Sequence, residues 1–135
     1  MNKYFKVVIC IFILALFRFS CSDDDKDDIK LLVTCNAPFT GMYIYNGGNP
    51  VGYGGPGGYI ISGSTYYYSI IFDDLDSIIV DASITRTGVD TNSYTLTIRI
   101  FKDGSEVKKQ SINSTGVSTD TISGFTYTYD EAPTT

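Results

Sequence analysis

The side chains equipped for chemistry are few: three cysteines, fifteen acids and no histidine. Without an imidazole, no Ser-His-Asp or Cys-His nucleophile can be assembled, and a His-ligated zinc site is equally excluded. A carboxylate pair suits glycoside hydrolysis, and the densest acids in the body of the chain are Asp73, Asp74 and Asp76. They crowd a turn behind Phe72, where carboxylates ordinarily face water and bond the local backbone. The same three are the weak candidates for a metal, calcium above all, because hard cations collect oxygen ligands from such turns. They lack the glycine and closing glutamate of an EF-hand loop, so a solvated turn is the expectation. Gly54-Gly55-Pro56-Gly57-Gly58 has neither the Lys-Ser/Thr ending nor the following helix of a phosphate-binding loop. The chain is expected to hold no catalytic residue and no cofactor, and not to be an enzyme.

Cys21 is the informative cysteine. Lys3 and Lys6 form a basic start, Val7 to Phe17 is unbroken apolar sequence, and Arg18-Phe19-Ser20 leads into Cys21. That is the layout of a secretory signal peptide over residues 1–20. The apolar run falls well short of the ~20 residues that cross a bilayer. A cysteine directly after a small residue, with an acidic run behind it, resembles bacterial lipoproteins. The resemblance implies a diacylglyceryl group on the Cys21 thiol and Cys21 as the mature N-terminus. Arg18 departs from the family, which usually has an aliphatic residue there. One acyl chain binds a membrane marginally, while two or three hold stably.

Residues 21–28 then read as the lipidated cysteine and an acidic tether. Asp23 to Asp28 holds five acids and one lysine, a composition that repels itself and stays extended. Ser22-Asp23-Asp24-Asp25 also resembles the export signal of Bacteroidetes lipoproteins, and Lys26-Asp27-Asp28 is similar to a variant of it. That resemblance implies an outer-membrane protein, lipid-anchored and facing the cell exterior.

Loss of Lys3, Lys6 and Arg18 with the signal takes the net charge from −5 to −8. Such a chain lacks the basic footprint that nucleic acid requires, and it cannot adsorb to anionic lipid by charge. Membrane contact is therefore expected through the acyl chains alone. Cys10 lies in the signal, which leaves Cys35 without an intrachain partner. Within Leu31-Leu32-Val33-Thr34-Cys35 it reads as a small buried apolar residue.

The elements that must position these groups are strands. β-Branched and aromatic residues are cut at short intervals by Gly, Asn, Asp and Pro, and no 3.6-residue period appears. Strands are predicted at Ile29–Asn36, Gly41–Tyr45, Gly58–Ile61, Thr65–Phe72, Ser77–Thr85, Ser93–Phe101, Glu106–Ile112 and Ile122–Tyr129. In the clearest, Tyr94, Leu96, Ile98 and Ile100 share one face, with Thr95, Thr97 and Arg99 opposite. Asp103-Gly104 behind it is a strong hairpin signal. The pattern predicts one all-β domain over residues 29–130, a single antiparallel β-sandwich of Greek-key or immunoglobulin-like type, and a frayed tail at 131–135. About seven or eight strands are expected. A conventional immunoglobulin core is not supported, because there is no tryptophan and no cysteine pair.

Two segments are candidates for recognition. Asn46 to Gly58 has seven glycines and two prolines and reads as a loop. It is either a flexible connector or a binding loop with Tyr53 displayed at its tip. In Tyr66-Tyr67-Tyr68 the first and third share a face and Tyr67 takes the other. Core packing with a hydroxyl at the rim is favoured there over sugar stacking.

Tyr94 to Gly124, with its strand, Ile100-Phe101-Lys102-Asp103-Gly104, Val107-Lys108 and Ser123-Gly124, is similar to the small β-sandwich domain of the MmpS family. Tyr43-Ile44-Tyr45, Tyr67-Tyr68-Ser69 and Ile79-Val80-Asp81-Ala82 fall where that family has earlier strands. The family's cysteine pair and transmembrane helix are absent here. The resemblance implies an envelope accessory role beside exporters and brings no catalytic residue. The function expected is a non-enzymatic, lipid-anchored module that binds an envelope protein partner or supports an envelope transport complex. The alternative is a surface glycan-binding module using exposed tyrosines and the glycine-rich loop.

Overall fold

The structure, a computed structural model, describes residues 27–86, 91–116 and 119–130. The signal segment, Cys21, Ser22, Asp23, Asp24, Asp25 and the tail 131–135 lie outside the described residues. The described chain is all β, with nine strands and no helix: β1 (Ile29–Cys35), β2 (Phe39–Tyr45), β3 (Val51–Gly54), β4 (Ile60–Ser62), β5 (Thr65–Phe72), β6 (Ser77–Ile84), β7 (Tyr94–Lys102), β8 (Ser105–Ser114) and β9 (Thr121–Thr128). They form two antiparallel sheets packed as a sandwich. The first has the order β4-β5-β1-β7-β8 and the second β3-β2-β6-β9.

The alternation of side chains explains why the sheets face one another. Ile29, Leu31, Val33 and Cys35 of β1 are buried, as are Leu96, Ile98 and Ile100 of β7. They meet Phe39 and Tyr43 of β2 and Ile78, Val80, Ala82 and Ile84 of β6. Each such aliphatic side chain contributes about 1.5–3 kcal/mol when removed from water. Cys35 is part of this core, and burial pushes its thiol pKa up.

Turn chemistry closes the hairpins. Asp103 and Gly104 both take positive φ, as the tight β7–β8 turn requires. Gly63, at φ 60°, opens the two-residue turn Gly63-Ser64 between β4 and β5. The β6–β9 ladder carries a bulge, where Ser123 and Gly124 stand opposite Asp81 alone. The Gly124 amide donates to the Asp81 carboxylate at 2.6 Å.

The N-terminal end of the fold is clasped. Asp27 accepts a hydrogen bond from the Tyr129 hydroxyl at 2.6 Å and pairs with the Lys102 ammonium at 2.7 Å. The same ammonium lies 4.1 Å from the centre of the Tyr129 ring. Lys102 and then Tyr129 hold the Asp27 carboxyl below its usual range. Asp103 next to it is pushed up, first by desolvation and then by Asp27. The clasp thus draws in Asp27, two residues before β1 and the next-to-last residue of the stretch read as tether.

Candidate functional site

The largest departure from expectation is Tyr53. Far from a loop tip, it is 6% exposed and lies in β3, a strand inside the glycine-rich segment. Val51 and Tyr53 alternate inward opposite Tyr43 and Gly41. The Tyr53 ring stacks on Tyr68 at 4.5 Å, and its hydroxyl donates to the Asp81 carbonyl at 2.8 Å. Gly41 makes room for it, because a Cβ there would collide with both the Tyr53 ring and the Asp81 carbonyl. The reading of Tyr53 as a displayed recognition residue is therefore overturned. The segment is not simply a loop either. Its glycine freedom is used at the end of β3, where Gly54 and Gly55 take φ of 79° and 73° and carry the chain across to the first sheet.

Tyr66 and Tyr68 face inward against the core, and Tyr67 lies on the outer face of the first sheet. All three are half-buried. Together with Phe39, Tyr43, Tyr45, Tyr53, Tyr59 and Phe72, Tyr66 and Tyr68 form a chain of ring contacts between the sheets. Burial is the main cause that raises the phenol pKa of both Tyr53 and Tyr68. A phenol whose pKa is raised by folding stabilises the fold fully below about pH 10, where unfolded tyrosines ionise, and this contribution is lost as pH rises further. Phenolate absorbance should therefore lag behind that of free tyrosine on raising pH and then rise together with unfolding. A smooth, reversible titration of every tyrosine near pH 10 with the fold intact would contradict this.

The surface that stands out is the β4 edge. Ile60 and Ile61 are 73% and 58% exposed. Ile60 shares the outer face with Tyr67, and Ile61 sits beside Tyr66 on the other. A shallow cleft of about 310 Å³ runs alongside, lined by Gly57, Gly58, Tyr59, Ile60, Tyr67 and Ser69. This brings the glycine-rich crossover and Tyr67 to one cleft. Ile71, also exposed, extends the apolar surface along β5.

Charge is missing from the β4 edge and its immediate surroundings. Leu31 to Phe72, which covers nearly all of β1 and all of β2 to β5, contains no Asp, Glu, Lys or Arg, in a chain with twenty-five such residues by its counts of ten and fifteen. The opposite edge of the same sheet, β8, carries Glu106, Lys108 and Lys109. Charged side chains on an edge strand discourage strand addition. β4 has no such guard.

Asp73, Asp74 and Asp76 are exposed in the β5–β6 turn, and Leu75 between them is buried. Asn46 organises the turn. Its amide donates to the Asp74 carbonyl at 2.7 Å, and its side-chain oxygen accepts from the Asp76 and Ser77 amides. Among the described residues no group of three acid, cysteine or histidine side chains is arranged to hold a metal ion. Sequence reasoning missed the β4 edge as a site, although Ile60 and Ile61 stand just before the two-residue turn Gly63-Ser64. No family model, curated protein or solved structure matches the chain.

Proposed function

We propose that this chain is a lipid-anchored envelope lipoprotein whose β-sandwich binds a protein partner through the β4 edge and the adjoining outer face of β5, without catalysis. Attachment is through Cys21, and Ser22-Asp23-Asp24-Asp25 directs the protein to the outer face of the outer membrane. The observation that carries the binding reading is the uncharged, tyrosine- and isoleucine-rich surface around Ile60 and Ile61. Protein interfaces are depleted of charge at their centres and enriched in tyrosine. An envelope or transport complex is the setting that the resemblance to MmpS domains favours.

Two measurements test it. Growth with a clickable fatty acid should label the protein, and Cys21→Ser should abolish the label; label retained in the variant removes the anchor. Cross-linked capture from envelope extract, with the full chain as bait, should fall at least tenfold in Ile60→Lys. The melting temperature should move little, because Ile60 is 73% exposed. Binding confined to a glycan array and lost in Tyr67→Ala would replace the protein partner by a glycan.

A further inference from the structure

If the β4 edge binds a protein partner, as proposed, its backbone decides how. Ser62 and Thr65 flank the two-residue turn at Gly63-Ser64 and close the β4–β5 ladder. Pairs in an antiparallel ladder alternate between hydrogen-bonded and non-hydrogen-bonded. With Ser62–Thr65 as the closing hydrogen-bonded pair, Ile61–Tyr66 is a non-bonded pair. The N–H and C=O of Ile61 consequently point away from β5, toward the free edge of the sheet. Ile61 thus offers a donor and an acceptor in line, flanked by apolar side chains on both faces of the sheet.

We propose that β4 takes up an extended segment of a partner protein as a sixth strand of the first sheet. The segment is uncharged and has alternate apolar residues. Those on one face meet Ile60 and Tyr67 along the cleft beside Gly57 and Gly58, and those on the other meet Ile61 and Tyr66. Three observations select this occupant. The edge and its surroundings carry no charge from Leu31 to Phe72, so neither an acidic nor a basic motif finds a counterpart there. A second copy of the chain is disfavoured. β4 is only three residues long, far short of the ~1,200 Å² of a stable interface, and each copy processed to Cys21 has a net charge of −8. A lipid surface is disfavoured by position. In register, β4 lies level with Tyr66 and Cys35, whereas the clasped N-terminus lies at the Ile29 end, about 20 Å away at ~3.3 Å per residue.

The experiment uses the full chain in detergent and a displayed library of ten-residue peptides as probe. Enriched peptides should be uncharged and alternate β-branched or aromatic residues with small polar ones. For a synthetic peptide of the winning sequence, Kd for Ile61→Pro should be at least tenfold weaker than for Ile61→Ala. Both variants lose the side chain, but only proline loses the outward N–H, and it does so without cutting the β4–β5 ladder. A measurement on the unaltered chain guards against misfolding of the proline variant. The Ile61 amide should exchange rapidly when free and become protected when peptide is added. Peptide binding with equal Kd in the two Ile61 variants, or with Ile61 left unprotected, would overturn strand addition while leaving side-chain docking at this face intact. No enriched peptide, with capture from envelope extract also unaffected by Ile60→Lys, would remove the protein-binding reading itself. Ile61-dependent binding to phosphatidylethanolamine–phosphatidylglycerol vesicles, or a concentration-dependent dimer lost in Ile61→Pro, would overturn the proposal in favour of lipid or self-pairing.

Discussion

Ile98→Asp is expected to abolish the cooperative unfolding transition and to leave a chain without the β-type circular dichroism of the parent. Ile98 is 0% exposed, on the inner face of β7, opposite Val33 on one side and Gln110 on the other. A carboxylate at that position has no partner in the core, and an unpaired buried charge costs several kcal/mol before the lost packing is counted. Against a total stability of about 5–15 kcal/mol, a loss above ~5 kcal/mol is decisive. A variant that still melts cooperatively within a few degrees of the parent would show that Ile98 is not where the structure has it. Thr97→Asp belongs beside it. Thr97 is on the outer face, as its alternation implies, yet it is 5% exposed and its hydroxyl meets Ser111 at 2.9 Å. That substitution should also destabilise, by less than Ile98→Asp and by more than a wet face would give.

Gly41→Ala is the second large effect, and it comes from adding one methyl group. The new Cβ would collide with the Asp81 carbonyl on β6 and with the Tyr53 ring on β3. One obstacle is backbone and cannot swing aside. The other is a ring held by Tyr68 and by its own hydrogen bond. Overpacking of this kind costs about 1–3 kcal/mol, occasionally more, and two rigid walls place Gly41→Ala at the upper end. At roughly 4–8 °C per kcal/mol for a domain of this size, the melting temperature should fall by more than about 10 °C. An unchanged melting temperature would mean that Tyr53 does not lie over Gly41. It would reopen the exposed position first expected for that tyrosine.

Most strands were legible because their alternation is clean. β5 runs from Thr65 to Phe72, the limits read from its β-branched and aromatic residues alone, and the Asp103-Gly104 turn falls where the dipeptide put it. β3 was not legible as a strand. Val-Gly-Tyr-Gly has two inward side chains separated by glycine, and the surrounding glycine density argues for a loop; only pairing with β2 supplies the stabilisation that propensity lacks. Asp81 alternates with the buried Val80 and Ala82. Its role in receiving both the Tyr53 hydroxyl and the Gly124 amide depends on a bulge that no single-strand pattern reveals. The uncharged run from Leu31 to Phe72 could be read directly, but it becomes a surface only when the topology sets β4 at one edge of its sheet. The clasp of Asp27 joins groups about a hundred positions apart, and nothing in local spacing foretells it.

The chain enters the sandwich at the middle of a sheet, and that determines how it bears a mechanical load. β1 follows directly on the clasped Asp27 and is the central strand, paired with β5 on one side and β7 on the other over its full seven residues. Antiparallel ladder bonds lie perpendicular to the strands. A pull along β1 therefore loads both ladders at once, in shear, and does not unzip them bond by bond. If the other end of the pull is a strand held at β4, the force runs from that strand through β4 and β5 into β1. The weakest ladder on this path is that of the added strand on β4, where Ile61 offers the outward donor and acceptor, against three pairs between β4 and β5. Under such tension the grip at β4 yields first, and the sandwich survives the detachment.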